Sequence, residues 1–180
     1  MTNGEKTLKE LKKILDELEC TFWLSAGTLL FAIRENKLSE DDIDLGMRDC
    51  CYQILMDNLD KIKEAGFGIS QEYSHPSGLG REITLEKNGT KIDIFETHYR
   101  DGFAWWMSYA PWAGVPHIVY KVPVLFLHEL MGITFLDEEW LIPNYPAQYL
   151  ILCYGKWWVP EKNWKYYEDP LCIDQEWEIK

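Results

Sequence analysis

The sequence predicts an α/β (α+β) domain, a mixed central sheet with flanking helices, and three observations carry that reading. Apolar residues recur at helical spacing in some segments and at every second position in others. An Asn-Gly pair at 88–89 joins two alternating runs, and both residues accept the positive φ of a type I′ hairpin turn. The 180 residues suffice for one good core and fall short of two, with no repeat, low-complexity tract or linker between halves. A single domain over 1–180 follows.

Taken in order, Leu8, Leu11, Ile14, Leu15 and Leu18 make 5–19 an amphipathic helix. Ser25 is placed to cap a helix entered through Gly27, with Leu29, Leu30, Ala32 and Ile33 facing the core. Ile43, Leu45 and Met47 alternate as in a strand, and 52–66 reads as a helix closed by Gly66. Strands are expected over 67–73, 81–87, 90–97 and 103–109. The run VPVLFLHELMG (122–132) reads as a short helix ending at Gly132, and PAQYLILCYG as one from Pro146 to Gly155. The tail, 160–180, is rich in Trp, Tyr and Lys and is expected to wrap irregularly onto the domain.

Eighteen basic against thirty acidic residues leave a net charge of −12, which argues against nonspecific nucleic-acid binding. A small phosphorylated ligand remains compatible, since a divalent cation can bridge acid to acid. Nine Trp and ten Tyr suit an amphipathic cleft as well as a core. Five cysteines without a CxxC pair read as reduced intracellular thiols, and the four histidines share no zinc-like spacing. No signal-peptide run and no bilayer-length apolar stretch occurs, so the expected location is cytoplasmic, with a peripheral place at the inner face of a membrane also open.

The stretch SEDDIDLGM holds the first chemical signal. Asp42 and Asp44, one residue apart in a strand, share a face while Ile43 and Leu45 turn to the core. Two like charges held close are costly unless something positive lies between them. KIDIF (91–95) repeats the pattern at Asp93, between Ile92 and Ile94. If the strands are neighbours, three carboxylates converge, as a Mg²⁺ site for phosphoryl or nucleotidyl transfer requires. The plain alternative is that the Asp pair marks the solvent face of an amphipathic strand.

SAGTLLFAIRENKLSEDDIDLGM (25–47) resembles the signature of the LicD and fukutin-related family of nucleotidyltransferase-fold proteins. FLDEEWLIPNYPAQYLILCYGKWWVP resembles that family's closing segment, through Pro146, Tyr149, Leu150, Tyr154, Gly155 and Trp157, so the likeness runs from about 20 to 160. The resemblance implies a core like that of DNA polymerase beta. It places Gly27 and Thr28 near substrate phosphates, Arg34 at the family's basic position, and Asp42, Asp44 and Asp93 as catalytic metal ligands for Mg²⁺, or Mn²⁺ in its place. It further implies transfer of a phosphocholine- or ribitol-phosphate-like group from a CDP-alcohol to a sugar or glycoconjugate hydroxyl, with CMP leaving. NTP-dependent nucleotidyl transfer to a small molecule and a non-catalytic nucleotide- or metal-binding relative are the alternatives. One departure is visible: Leu38, Ser39, Glu40, Asp41 and Asp42 stand where the family carries Pro-Trp and three aspartates.

Further candidates for the substrate are Arg34 and Arg81, for phosphate, with Lys121 and Lys156 behind them. A ring at Trp105 or Trp106 could stack on a base or face a quaternary ammonium, Trp105 being the choice made here. Surface charge, a plain turn and core packing are the respective ordinary explanations.

Overall fold

The computed structural model describes residues 1–39 and 42–175. Glu40 and Asp41 of the altered loop, and 176–180 of the tail, lie outside the described residues.

The period-two runs do become neighbouring strands. Seven strands form one sheet: β1 (Phe22–Leu24), β2 (Ile43–Arg48), β3 (Gly68–Tyr73), β4 (Glu82–Lys87), β5 (Thr90–Arg100), β6 (Phe103–Ala110) and β7 (Val115–Pro123). Their order is β1-β2-β5-β4-β3, with β6 joined to β5 and β7 to β6. Only β2 and β5 pair in parallel among these contacts. Strand β5 is longer than 90–97 because it changes partner: it pairs with β4 as far as Phe95 and with β6 from Thr97. Asn88 (φ 54°) and Gly89 (φ 76°) make the tight turn between β4 and β5.

Ile43, Leu45, Met47, Ile83, Leu85, Ile92 and Ile94 are buried in the main core. Leu8, Leu11 and Leu15 of α1 (Asn3–Glu17), Tyr52 and Leu55 of α3 (Asp49–Asp57) and Ile62 of α4 (Leu59–Glu64) share it. Helix α1 starts before residue 5 because Thr2 and Glu5 form a reciprocal capping box. The expected helix over 52–66 is two helices. Asn58 (φ −115°, ψ 21°) interrupts it and its side-chain amide donates to the Ile54 carbonyl at 2.8 Å.

The helix expected over 122–132 is a correction. Val122 and Pro123 end β7, and α5 (Leu125–His128) is a single turn. Met131–Phe135 is strand β8, paired with β9 (Glu138–Ile142), and Gly132 lies inside it opposite Leu141. Leu136 and Asp137, both at positive φ, turn this hairpin. An apolar run of helical length had merged a strand end, one turn and a second strand. The hairpin's reward is burial: Phe135, Trp140 and Ile142 enter the core, where Trp140 meets Phe22 edge-on at 6.3 Å.

Helix α6 (Pro146–Tyr154) runs as expected and stops at Gly155 (φ 58°). The tail then crosses the sheet edge. Lys121 donates its N–H to the Cys172 carbonyl at 2.8 Å, and Asp174 to that of Val119 at 2.9 Å, so β7 is covered. Together with α2 (Ala26–Glu35), six α-helices and a mixed sheet make an α/β architecture among the described residues. No helix among them is long and apolar enough to cross a membrane. All five cysteines are free thiols.

Candidate active site

Parallel pairing sets Asp44 of β2 directly opposite Asp93 of β5, and β4 places Thr84 on the other side of Asp93. Alternation turns this polar row away from the buried Ile43, Leu45, Ile92 and Ile94. Asp42, exposed just ahead of β2, lines the same cavity of about 500 Å³ as Asp44 and Asp93. The two strands are thus neighbours.

Asp44 is fixed from α2. The Gly27 N–H donates to its Oδ2 at 2.9 Å, while its own N–H donates to Thr28 Oγ1 at 2.8 Å. Ser25 occupies the N-cap position without a side-chain bond; the acceptor at the helix start is the Asp44 carboxyl, reaching in from the sheet. A Cβ at Gly27 would stand 3.1 Å from that oxygen. Gly27 lines the cavity beside Asp44, whereas Thr28 is fully buried behind it.

Asp93 Oδ1 accepts from Thr84 Oγ1 at 2.6 Å. Burial, then the charge of Asp93, pushes the Asp44 carboxyl up to about 8, against the pull of the Gly27 and Thr28 backbone N–H groups. Burial also raises Asp93, to about 6; the Thr84 bond and Lys91 oppose it and Asp42 adds to it. Negative charge is packed here faster than the protein compensates it, for Lys91 is the basic residue in the described lining.

A fourth acid escaped the sequence reading. Glu82 of β4 lines the cavity, is 6% exposed, and its Oε2 has no hydrogen-bond partner. Burial raises it to about 8, with Asp93 and Asp44 adding and the Tyr109 backbone N–H opposing. The signal was present: EITL repeats the acid-apolar alternation of KIDI, and the Asn88-Gly89 turn brings Thr84 opposite Asp93.

The walls are aromatic. Trp106 stacks on Tyr120 (5.2 Å, 11° between planes), and Tyr109, Tyr154, Trp164 and Tyr166 complete much of the lining. The tail is tied into this wall, since Tyr120 OH donates to the Tyr166 carbonyl at 2.8 Å and Tyr166 OH to that of Tyr109 at 3.0 Å.

Three further candidates sit elsewhere. Trp105 does not line the cavity; it stacks on His98 at 4.5 Å and packs with Met107, leaving Trp106 as the ring that faces the site. Arg34 pairs with Glu35 at 2.8 Å and donates to the Trp157 carbonyl at 3.2 Å, joining α2 to the segment after α6. Arg81 grips buried Glu96 through Nε at 3.0 Å and Nη2 at 2.6 Å, over the ring of Tyr52. Of the lysines, Lys121 pairs with Asp174 at 3.0 Å. Neither arginine is in the described lining of the cavity. Among the described residues, no group of three or more His, Cys, Asp or Glu side chains is arranged to hold a metal ion.

No family model matches the chain. It is 28% identical over 171 residues to ribitol-5-phosphate transferase FKTN of Mus musculus and 26% identical over 173 residues to that of Homo sapiens. These alignments cover 93% and 92% of this chain but 36% of each relative, so the chain spans about a third of their length. The chain is thus similar, over nearly all of its own length, to part of proteins named as ribitol-5-phosphate transferases, a likeness pointing to the LicD-related group that residues 25–47 resemble.

Proposed function

We propose that this chain is a transferase of nucleotidyltransferase-like fold that moves a phospho-alcohol from a CDP-alcohol donor to a glycan or glycoconjugate hydroxyl, with release of CMP. The observation that carries the reading is the in-register Asp44–Asp93 pair on the floor of an aromatic-walled cavity. The named relatives support the phospho-alcohol part.

Asp44 and Asp93, with Asp42 at the rim, are the residues that would hold Mg²⁺ or Mn²⁺. Their fit rests on buried carboxylates whose repulsion nothing in the lining offsets fully. Two close carboxylates also match the habit of Mg²⁺ to take the rest of its ligands from water and phosphate oxygens. When bound, the cation supplies charge neutralisation of the diphosphate.

The chain's own part is positioning and proton transfer. The Gly27 N–H holds one oxygen of the Asp44 carboxyl, and Thr28 Oγ1 holds the Asp44 backbone. Asp93, with Oδ1 occupied by Thr84, keeps Oδ2 to accept the proton of the attacking hydroxyl. The acceptor oxygen bonds to the distal phosphorus as the bond from phosphorus to the CMP oxygen breaks. Ring walls limit water, the competing acceptor.

A donor screen tests this reading. CDP-ribitol and CDP-choline, each with Mg²⁺ and a sugar acceptor, are expected to yield CMP. Pyrophosphate from an NTP, with no CMP from either donor, would replace the proposal by nucleotidyl transfer.

A further inference from the structure

The acid left unexplained is Glu82. It is 6% exposed, and its Oε2 is buried without a hydrogen-bond partner in a cavity wall. A buried polar atom without a partner costs about 1–3 kcal/mol, so native proteins keep one where a ligand completes it. The nearby phenols are committed elsewhere. Tyr109 OH donates to the Gly80 carbonyl at 2.7 Å, Tyr120 OH to that of Tyr166, and Tyr166 OH to that of Tyr109.

We propose that Glu82 selects the transferred alcohol, its free Oε2 meeting a hydroxyl of a polyol that lies against the aromatic wall. The inference rests on the transferase reading and adds the group that discriminates among donors. A hydroxyl satisfies a carboxyl in either protonation state, because it both donates and accepts. A quaternary ammonium has no N–H or O–H, and offers Oε2 no hydrogen bond. Position agrees with this role. Glu82 lies two residues along β4 from Thr84, which faces Asp93, and two residues of strand span about 7 Å. That is the reach of a hydroxyl several carbons from a phosphorus held over Asp44 and Asp93. The faces of Trp106 and Tyr120 suit the C–H surface of such a chain.

Fluorescence of the cavity tryptophans, Trp106, Trp112 and Trp164, reports binding directly. Wild type, Glu82→Gln and Glu82→Ala are titrated with CDP-ribitol and with CDP-choline, and CMP release is followed in parallel. Wild type is expected to bind CDP-ribitol more tightly than CDP-choline. Glu82→Ala should weaken CDP-ribitol about tenfold or more, raise its KM more than it lowers kcat, and affect CDP-choline several-fold less. Glu82→Gln, which keeps a hydrogen-bonding amide of equal size, should fall between. Equal loss for both donors, or tighter binding of CDP-choline by wild type, overturns the inference. Selective binding without CMP release would sink the transferase reading and leave the role of Glu82 standing. No binding of either donor sinks both.

Discussion

The acids on the cavity floor should make the cation-free protein lose stability as pH rises. Asp44 titrates near 8 in the fold and near 4 in the unfolded chain, so the folded state holds more protons between those values. Its contribution is therefore fully favourable below about pH 4 and is lost as pH climbs towards 8. The shift alone would amount to more than 5 kcal/mol at about 1.4 kcal/mol per pH unit. Asp44, Asp93 and Glu82 share their mutual repulsion, so roughly 3 kcal/mol is the better figure for Asp44. For a chain of this size that is roughly 6–12 °C in Tm. Glu96, held at about 2 although buried, because His98 and Arg81 bond its carboxylate, works oppositely: its stabilisation is lost as pH falls from about 4 towards 2. Maximal stability should lie near pH 4. The assay is thermal melting in EDTA from pH 5 to 8.5. Asp44→Asn keeps an oxygen for the Gly27 N–H and should flatten the alkaline decline by about half. A wild-type Tm that is level or rising to pH 8.5, or an unchanged slope in Asp44→Asn, would refute the reasoning.

Other substitutions separate site from scaffold. Arg81→Ala strands the buried Glu96 and should cost about 3 kcal/mol in urea unfolding, while donor affinity of the folded fraction stays unchanged. Thr28→Val removes the acceptor of the Asp44 N–H; a stability loss of about 1–3 kcal/mol should accompany a lower turnover. Trp106→Ala should weaken donor binding in a fluorescence titration, whereas Trp105→Phe, on the far side of β6, should leave it within about twofold.

Asp44 and Asp93 were legible because a period-two run assigns each side chain to a face without knowledge of the partner strand. Their adjacency was not, since β2 and β5 meet through parallel pairing across nearly fifty residues of intervening chain. Thr84 and Glu82 could have been reached: the Asn88-Gly89 turn sets the register of β4 on β5, and only the counting was missing. Nearly all of β6 is buried on both faces, so alternation could not say which of Trp105 and Trp106 faced the cavity. The partners of the arginines were not legible either. A guanidinium shows its charge in sequence but not its partner, and Glu96 and Trp157 claim Arg81 and Arg34 through long-range packing. The start of α2 was readable as a site for an acceptor, and its Gly27 N–H meets the protein's own Asp44 carboxyl.

The central claim is that Asp93 takes the proton while the Asp44–Asp93 pair organises the donor. Single-turnover CMP formation from CDP-ribitol with Mg²⁺, compared between wild type and Asp93→Asn, tests it most directly. The account predicts a fall of at least about a hundredfold in rate, with Tm undiminished at pH 8. CMP formed at the wild-type rate by a folded Asp93→Asn protein would contradict it.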